Sequence, residues 1–167
     1  MSRMPVAFIL LSAWLGAGVL FAAVVAPAAF AVLPSRALAG ALVGRVLPVI
    51  FVSGIVVAAA GLLLDRSGAG RLPRVRRGAL AVVALCCAVA QFIVAPMIER
   101  TRREIAGPIE QLAPRDPRRV AFGQLHAISV GWLGLAILGA TTTVVLASMA
   151  PRSRRATLGN PLTGASG

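Results

Sequence analysis

The sequence predicts an all-α integral membrane protein built as a four-helix bundle. Two observations carry that prediction. Apolar residues make up 58% of the 167 residues and charged ones 13%, where soluble domains carry roughly 45–50% and about 25%. The charges also gather in narrow segments, leaving four apolar runs of the ~20 residues that a helix needs to cross about 30 Å of hydrocarbon. A mean hydropathy of +0.88 agrees. This composition excludes a soluble enzyme, a disordered tail and a secreted disulfide scaffold.

The first span is placed at residues 5–33. Its Ala29-Phe30-Ala31 resembles a signal-peptidase site, but the run is about twice the ~7–15 residues of a signal core, so a retained span is expected. Pro27 should kink its far end. Ser35 follows as an N-cap. Leu38, Ala41, Leu42, Arg45 and Val46 then recur at helical spacing, as a short interfacial helix or as the outer turns of span two. That span is placed at residues 45–64, with Ser53, Gly54 and Gly61 as small residues for close helix approach.

Residues 65–77 read as a loop, because Gly and Pro interrupt the period and Arg66, Arg71, Arg74, Arg76 and Arg77 crowd together. Span three is placed at residues 78–98, with Gln91 inside and Pro96 near its end. Its adjacent Cys86 and Cys87 lack metal or redox spacing and read as small apolar side chains. The pairs Glu99/Arg103 and Arg100/Glu104, four residues apart, predict that the helix continues in solvent to Gly107-Pro108. Asp116 as N-cap with Pro117 after it starts the last helix. Span four is placed at 120–149, Pro151 ends it, and residues 150–167 are expected to be a disordered basic tail.

All seventeen basic residues are arginine, for a formal net charge of +12. They lie at span edges, where anionic lipid headgroups are the expected partner. Nucleic acid is not expected, since no basic stretch is interleaved with aromatics. Four spans put both termini on one side. That side holds nine arginines (Arg3, the five of the 65–77 loop, Arg152, Arg154, Arg155). The other holds eight: Arg36, Arg45, Arg100, Arg102, Arg103, Arg115, Arg118 and Arg119. The loop is the shortest and densest basic segment, so the positive-inside rule places the termini in the cytoplasm of an inner-membrane protein.

Val24-Val25-Ala26-Pro27 recurs as Ile93-Val94-Ala95-Pro96, 69 residues on (96 − 27). The recurrence fits two duplicated helical hairpins. The ends of spans one and three face the same side as the starts of spans two and four. There the chain collects Pro27, Arg45, Pro96, Glu99, Gln124, His126 and Ser129 as a candidate polar site. His126, the single histidine, lies about 10 Å along the helix from Arg119, with Ser129 on the same face. It can serve as a ligand, proton carrier or metal contact, or simply as a bundle-facing imidazole bonded to Glu99. Glu99 could instead pair with Arg45 or Arg103. Gln91 is expected to bond Ser12 or Ser53, because an unpartnered amide at mid-span is costly. Trp14 and Trp132 read as packing or interface anchors. Nucleotide-binding loops, zinc-protease motifs and paired intramembrane carboxylates do not occur, and no catalytic residue is assigned.

The run V-V-A-P-A-A-F from Val24 to Phe30, the run L-P-S-R-A-L-A-G-A-L-V-G-R-V-L-P from Leu33 to Pro48, and F-G-Q-L-H-A-I-S from Phe122 to Ser129 resemble the transmembrane-protein-205-like family, four-span proteins of unknown function. The likeness covers roughly residues 5–149. It implies the fold and a membrane location, and no activity. Gly131 to Gly134 stand where such families often carry an Asn. A broader likeness is to the four-span units of copper-resistance membrane proteins and of a haem-binding protoporphyrinogen oxidase. Those rely on several histidines, and this chain has one.

The expected function is therefore non-enzymatic: binding or passing a small solute or ion, or assisting a membrane complex. No cofactor is expected. The alternative is a haem-binding oxidoreductase with His126 as an axial ligand. A second copy of the chain or another membrane protein is the expected protein partner.

Overall fold

A computed structural model describes residues 4–65, 70–105 and 109–149. Among them the chain is helical, with four helical rods long and apolar enough to cross a membrane: Val6–Val32, Arg36–Leu64, Arg71–Glu104 and Pro117–Ser148. The first rod comprises α1 (Met4–Leu20), a π turn (Phe21–Val25) and α2 (Ala26–Val32). The second is α3 (Arg36–Leu64). The third comprises α4 (Arg71–Val89), a π turn (Ala90–Val94) and α5 (Ala95–Glu104). A short 3-10 turn (Ile109–Gln111) precedes α6 (Pro117–Ser148).

Two caps start the even-numbered spans as expected. The Ser35 hydroxyl accepts the Leu38 N–H at 3.2 Å, and the Asp116 carboxylate accepts the Arg118 N–H at 2.9 Å. Three boundaries differ from the sequence reading. Span two is one helix from Arg36, so the segment before residue 45 forms its outer turns, and Pro48 lies inside it. Span three begins at Arg71 inside the expected loop, because arginines at a membrane edge can reach water from a helix. It ends at Glu104, and Gly107-Pro108 lies outside the described residues, as does the tail 150–167.

Both odd spans carry the same deformation at the repeated sequence. The Ala26 N–H bonds to the Phe21 carbonyl and the Ala95 N–H to the Ala90 carbonyl, five residues back in each case. Proline follows each time and causes it. Pro27 and Pro96 have no N–H, and their rings press on the carbonyl four residues earlier; widening the preceding turn makes room. The matching placement agrees with a duplicated hairpin.

Consecutive spans pack side by side, and span four closes the ring against span one. The shared core is built of small residues: Ala58, Ala90, Ala136 and Ala140 are fully buried, and Gly54 and Gly139 are buried with them. In lipid, where burial against hydrocarbon brings no advantage, close backbone approach is what holds helices together. The Trp14 indole shows how tight this is. Its Nε1 donates to the Ile50 carbonyl at 2.8 Å, and its ring lies on Gly54. Large apolar side chains such as Leu20, Val56, Leu85, Phe92 and Leu138 point outward, where a bilayer would cover them.

At the end where spans two and three are joined, Asp65 clasps the two helices. Its buried carboxylate accepts from Nε of Arg76 at 3.2 Å and from the same guanidinium's Nη2, while Arg77 Nη2 donates to its backbone carbonyl at 3.0 Å.

Candidate functional site

The other end of the bundle is hollow. A cavity of about 570 Å³ lies between α3, α5 and α6, with Phe30 of α2 at its side. Its size falls among small-molecule sites, about 300–1,000 Å³. Here α2 packs on α3 with no comparable contact to α6, so span four meets span one mainly through α1.

Three levels can be distinguished. At the rim stand Arg36, Arg102 and Arg119, with Glu99 beside them. The middle is apolar, walled by Leu47, Pro48, Ala95 and Ile98. His126, Ser129, Gln91 and Phe51 lie deeper, with Ser129 about 15 Å below Arg119 along the helix axis.

The rim guanidiniums are held from the side. Arg102 lies across the bare backbone of α3: Nη2 is 3.4 Å from where a Cβ on Gly40 would stand, and Nη1 is 3.6 Å from that on Gly44. Its other face covers the Phe122 ring, with Cζ 5.9 Å from the ring centre, a cation–π contact. Arg119 donates through Nη1 to the Leu112 carbonyl at 2.9 Å, its one side-chain hydrogen bond among the described residues. None of the three rim arginines forms an ion pair with a described residue. Glu99 is half exposed and pairs sideways with Arg103 at 3.5 Å. The expected Arg100–Glu104 pair does not form.

Among the residues singled out from sequence, Glu99, His126 and Ser129 line the cavity together, with no hydrogen bond among them. Arg45 and Gln124 do not. Both are exposed and stand off the cavity-lining faces of α3 and α6. Pro27 and Pro96 act at a distance, through the π turns that set how α2 and α5 leave the bundle. Gln91 bonds neither Ser12 nor Ser53. Ser53 donates instead to the Val49 carbonyl at 2.6 Å, and the buried Oε1 of Gln91 has no hydrogen-bond partner.

Sequence reasoning missed Arg36, Arg102 and Arg119 as one group. One signal was present: Gly40 and Gly44, four apart at the start of span two, make a bare strip on which a neighbouring side chain can lie. Pro48 adds to it by removing the N–H that would otherwise bond the Gly44 carbonyl.

Among the described residues, no group of three or more His, Cys, Asp or Glu could hold an ion. A haem iron would have His126 as its single histidine ligand.

The pattern of a family described as a domain of unknown function (DUF4149) matches residues 9–106. The chain belongs to the DUF4149 family. No curated protein and no solved structure matches it. The DUF4149 match takes in spans one to three, including the cavity wall from α3 and α5. The wall from α6, with Arg119, Phe122, His126 and Ser129, lies beyond it.

Proposed function

We propose that this DUF4149 protein is a non-enzymatic membrane protein that binds a small solute in the cavity at the end of its bundle, either to pass it on or to present it to another membrane complex. The carrying observation is the cavity itself. It brings His126, Ser129, Gln91 and Glu99 from two spans around one space of ligand size. The likeness of Phe122 to Ser129 to the last span of transmembrane-protein-205-like proteins supports the assignment of the α6 wall. The dense arginines of residues 65–77 support cytoplasmic termini in an inner membrane over the reverse orientation, which puts the cavity mouth on the outer side.

Complementation of a deletion strain tests this reading. His126→Ala combined with Glu99→Ala should fail to complement. So should Ala41→Trp, which fills the cavity from α3. Val56→Trp, a like enlargement on the outward face, should complement. Restoration by both cavity variants would overturn the reading. A Soret absorbance in protein made under haem-replete conditions would replace it with the haem alternative.

A further inference from the structure

We infer that the cavity's ligand is an amphiphilic acid taken from the bilayer: a phosphate or carboxylate head on a single apolar chain. This rests on the solute-binding reading above and adds the ligand class.

Charge decides the head. Arg36, Arg102 and Arg119 ring the mouth, and Glu99, the acid among the lining residues, is already turned to Arg103. Three guanidiniums without carboxylate partners among the described residues, at a site walled by hydrocarbon, carry uncompensated charge, and a planar or tetrahedral oxyanion is what their N–H forks match. Arg102 is pre-set for the task. The Phe122 ring and the Gly40/Gly44 strip fix its guanidinium before any ligand arrives, so little ordering remains on binding.

The walls decide the tail. Below the arginines the lining turns to Leu47, Pro48, Ala95 and Ile98, surfaces that favour methylene groups. The volume of about 570 Å³ is that of a site for one small molecule, which favours one chain over a whole two-chain lipid. Of the lining residues only Phe30 comes from span one, and α2 packs on α3 rather than comparably on α6, so that side offers the chain a route from the bilayer. At the floor, Gln91 Oε1 still needs a donor.

The test is binding to purified protein in a neutral detergent, read by thermal shift and by native mass spectrometry. The probes are dodecyl phosphate, dodecanoate, dodecyltrimethylammonium and inorganic phosphate. Both acidic amphiphiles should bind, and the cationic one should not. Arg102→Gln and Arg119→Gln should each weaken acid binding about tenfold, and Arg102→Lys, which keeps charge but loses the fork, by less. Gln124→Ala, on the same helix but off the cavity, should bind as the parent does. Equal binding of the cationic probe, or unchanged binding in both Arg→Gln variants, overturns the acid head. Equal binding of inorganic phosphate overturns the bilayer source and leaves a soluble anion. The two readings fail separately: if these probes do not bind while Ala41→Trp still fails to complement, the cavity functions and the ligand class is wrong, whereas complementation by both cavity variants overturns the solute-binding reading itself.

Discussion

Adding one methyl group at Gly54 should weaken the bundle measurably. A Cβ built there would stand 2.7 and 2.9 Å from two carbons of the Trp14 indole and 2.8 Å from the Cys87 sulfur. Ordinary carbon contacts lie at ~3.5–4.0 Å, so about 0.7 Å or more must be found on each side. Neither side yields readily. Trp14 belongs to span one and its Nε1 is tied to the Ile50 carbonyl at 2.8 Å, while Cys87 is fully buried in span three. Overpacking of this kind costs about 1–3 kcal/mol, and two opposed obstacles favour the upper end. Replacing a helical glycine by alanine returns up to ~1 kcal/mol of helix propensity. The net expectation for Gly54→Ala is a loss of about 2 kcal/mol, or a midpoint lower by roughly 4–8 °C for a chain of this size. Gly131→Ala is the control. Nothing lies within 4 Å of its added Cβ, so the propensity gain stands alone and the variant should be slightly more stable. Thermal unfolding in detergent, followed by helical circular dichroism, reads both. Equal midpoints for the two variants would show that spans one and three do not close on span two at Gly54.

Two further outcomes follow from the ends of the bundle. Asp65→Asn leaves the Arg76 guanidinium, 12% exposed, without its counter-charge, and removing one partner of a buried pair costs about 3–5 kcal/mol, measurable by the same unfolding experiment. At α6, the hydrogen bond from the Arg118 side chain, aided by the Arg118 backbone N–H, holds the Asp116 carboxyl below the ordinary carboxylate range. A depressed acid contributes fully above its unfolded value and loses that contribution as pH falls through its folded value, so the protection of amides in the first turn of α6, relative to their intrinsic exchange at each pH, should fall only below about pH 4.

The fold was legible because hydropathy is a long-range average: four apolar runs survive errors of several residues at each edge. The caps at Ser35 and Asp116 were legible because an N-cap is local chemistry. The helical start at Arg71 was not. A cluster of arginines reads as a loop in a composition scan, yet a helix leaving a membrane carries such a cluster without cost. The cavity divides in the same way. His126 and Ser129 are three apart on one helix, so their shared face could be read directly. Arg102 and Arg119 are brought together only by packing, through a polar connection whose path no periodicity encodes. Gln91 defeated the expectation of a bond to Ser53 because that hydroxyl was already engaged by its own helix, with the Val49 carbonyl at 2.6 Å.

The paired π turns have a geometric result of their own. A π turn holds one residue more than an α turn, which rotates everything beyond it by about 100° relative to an unbroken helix. In span three, that rotation separates the face of α4 packed on Gly54 and Gly139 from the face of α5 that presents Glu99 and Arg102 to the cavity. The two halves of the rod can thus be adjusted separately, one for cohesion and the other for recognition. A single-residue deletion between Ala90 and Val94 would leave the packed half in place and swing Arg102 away from the mouth.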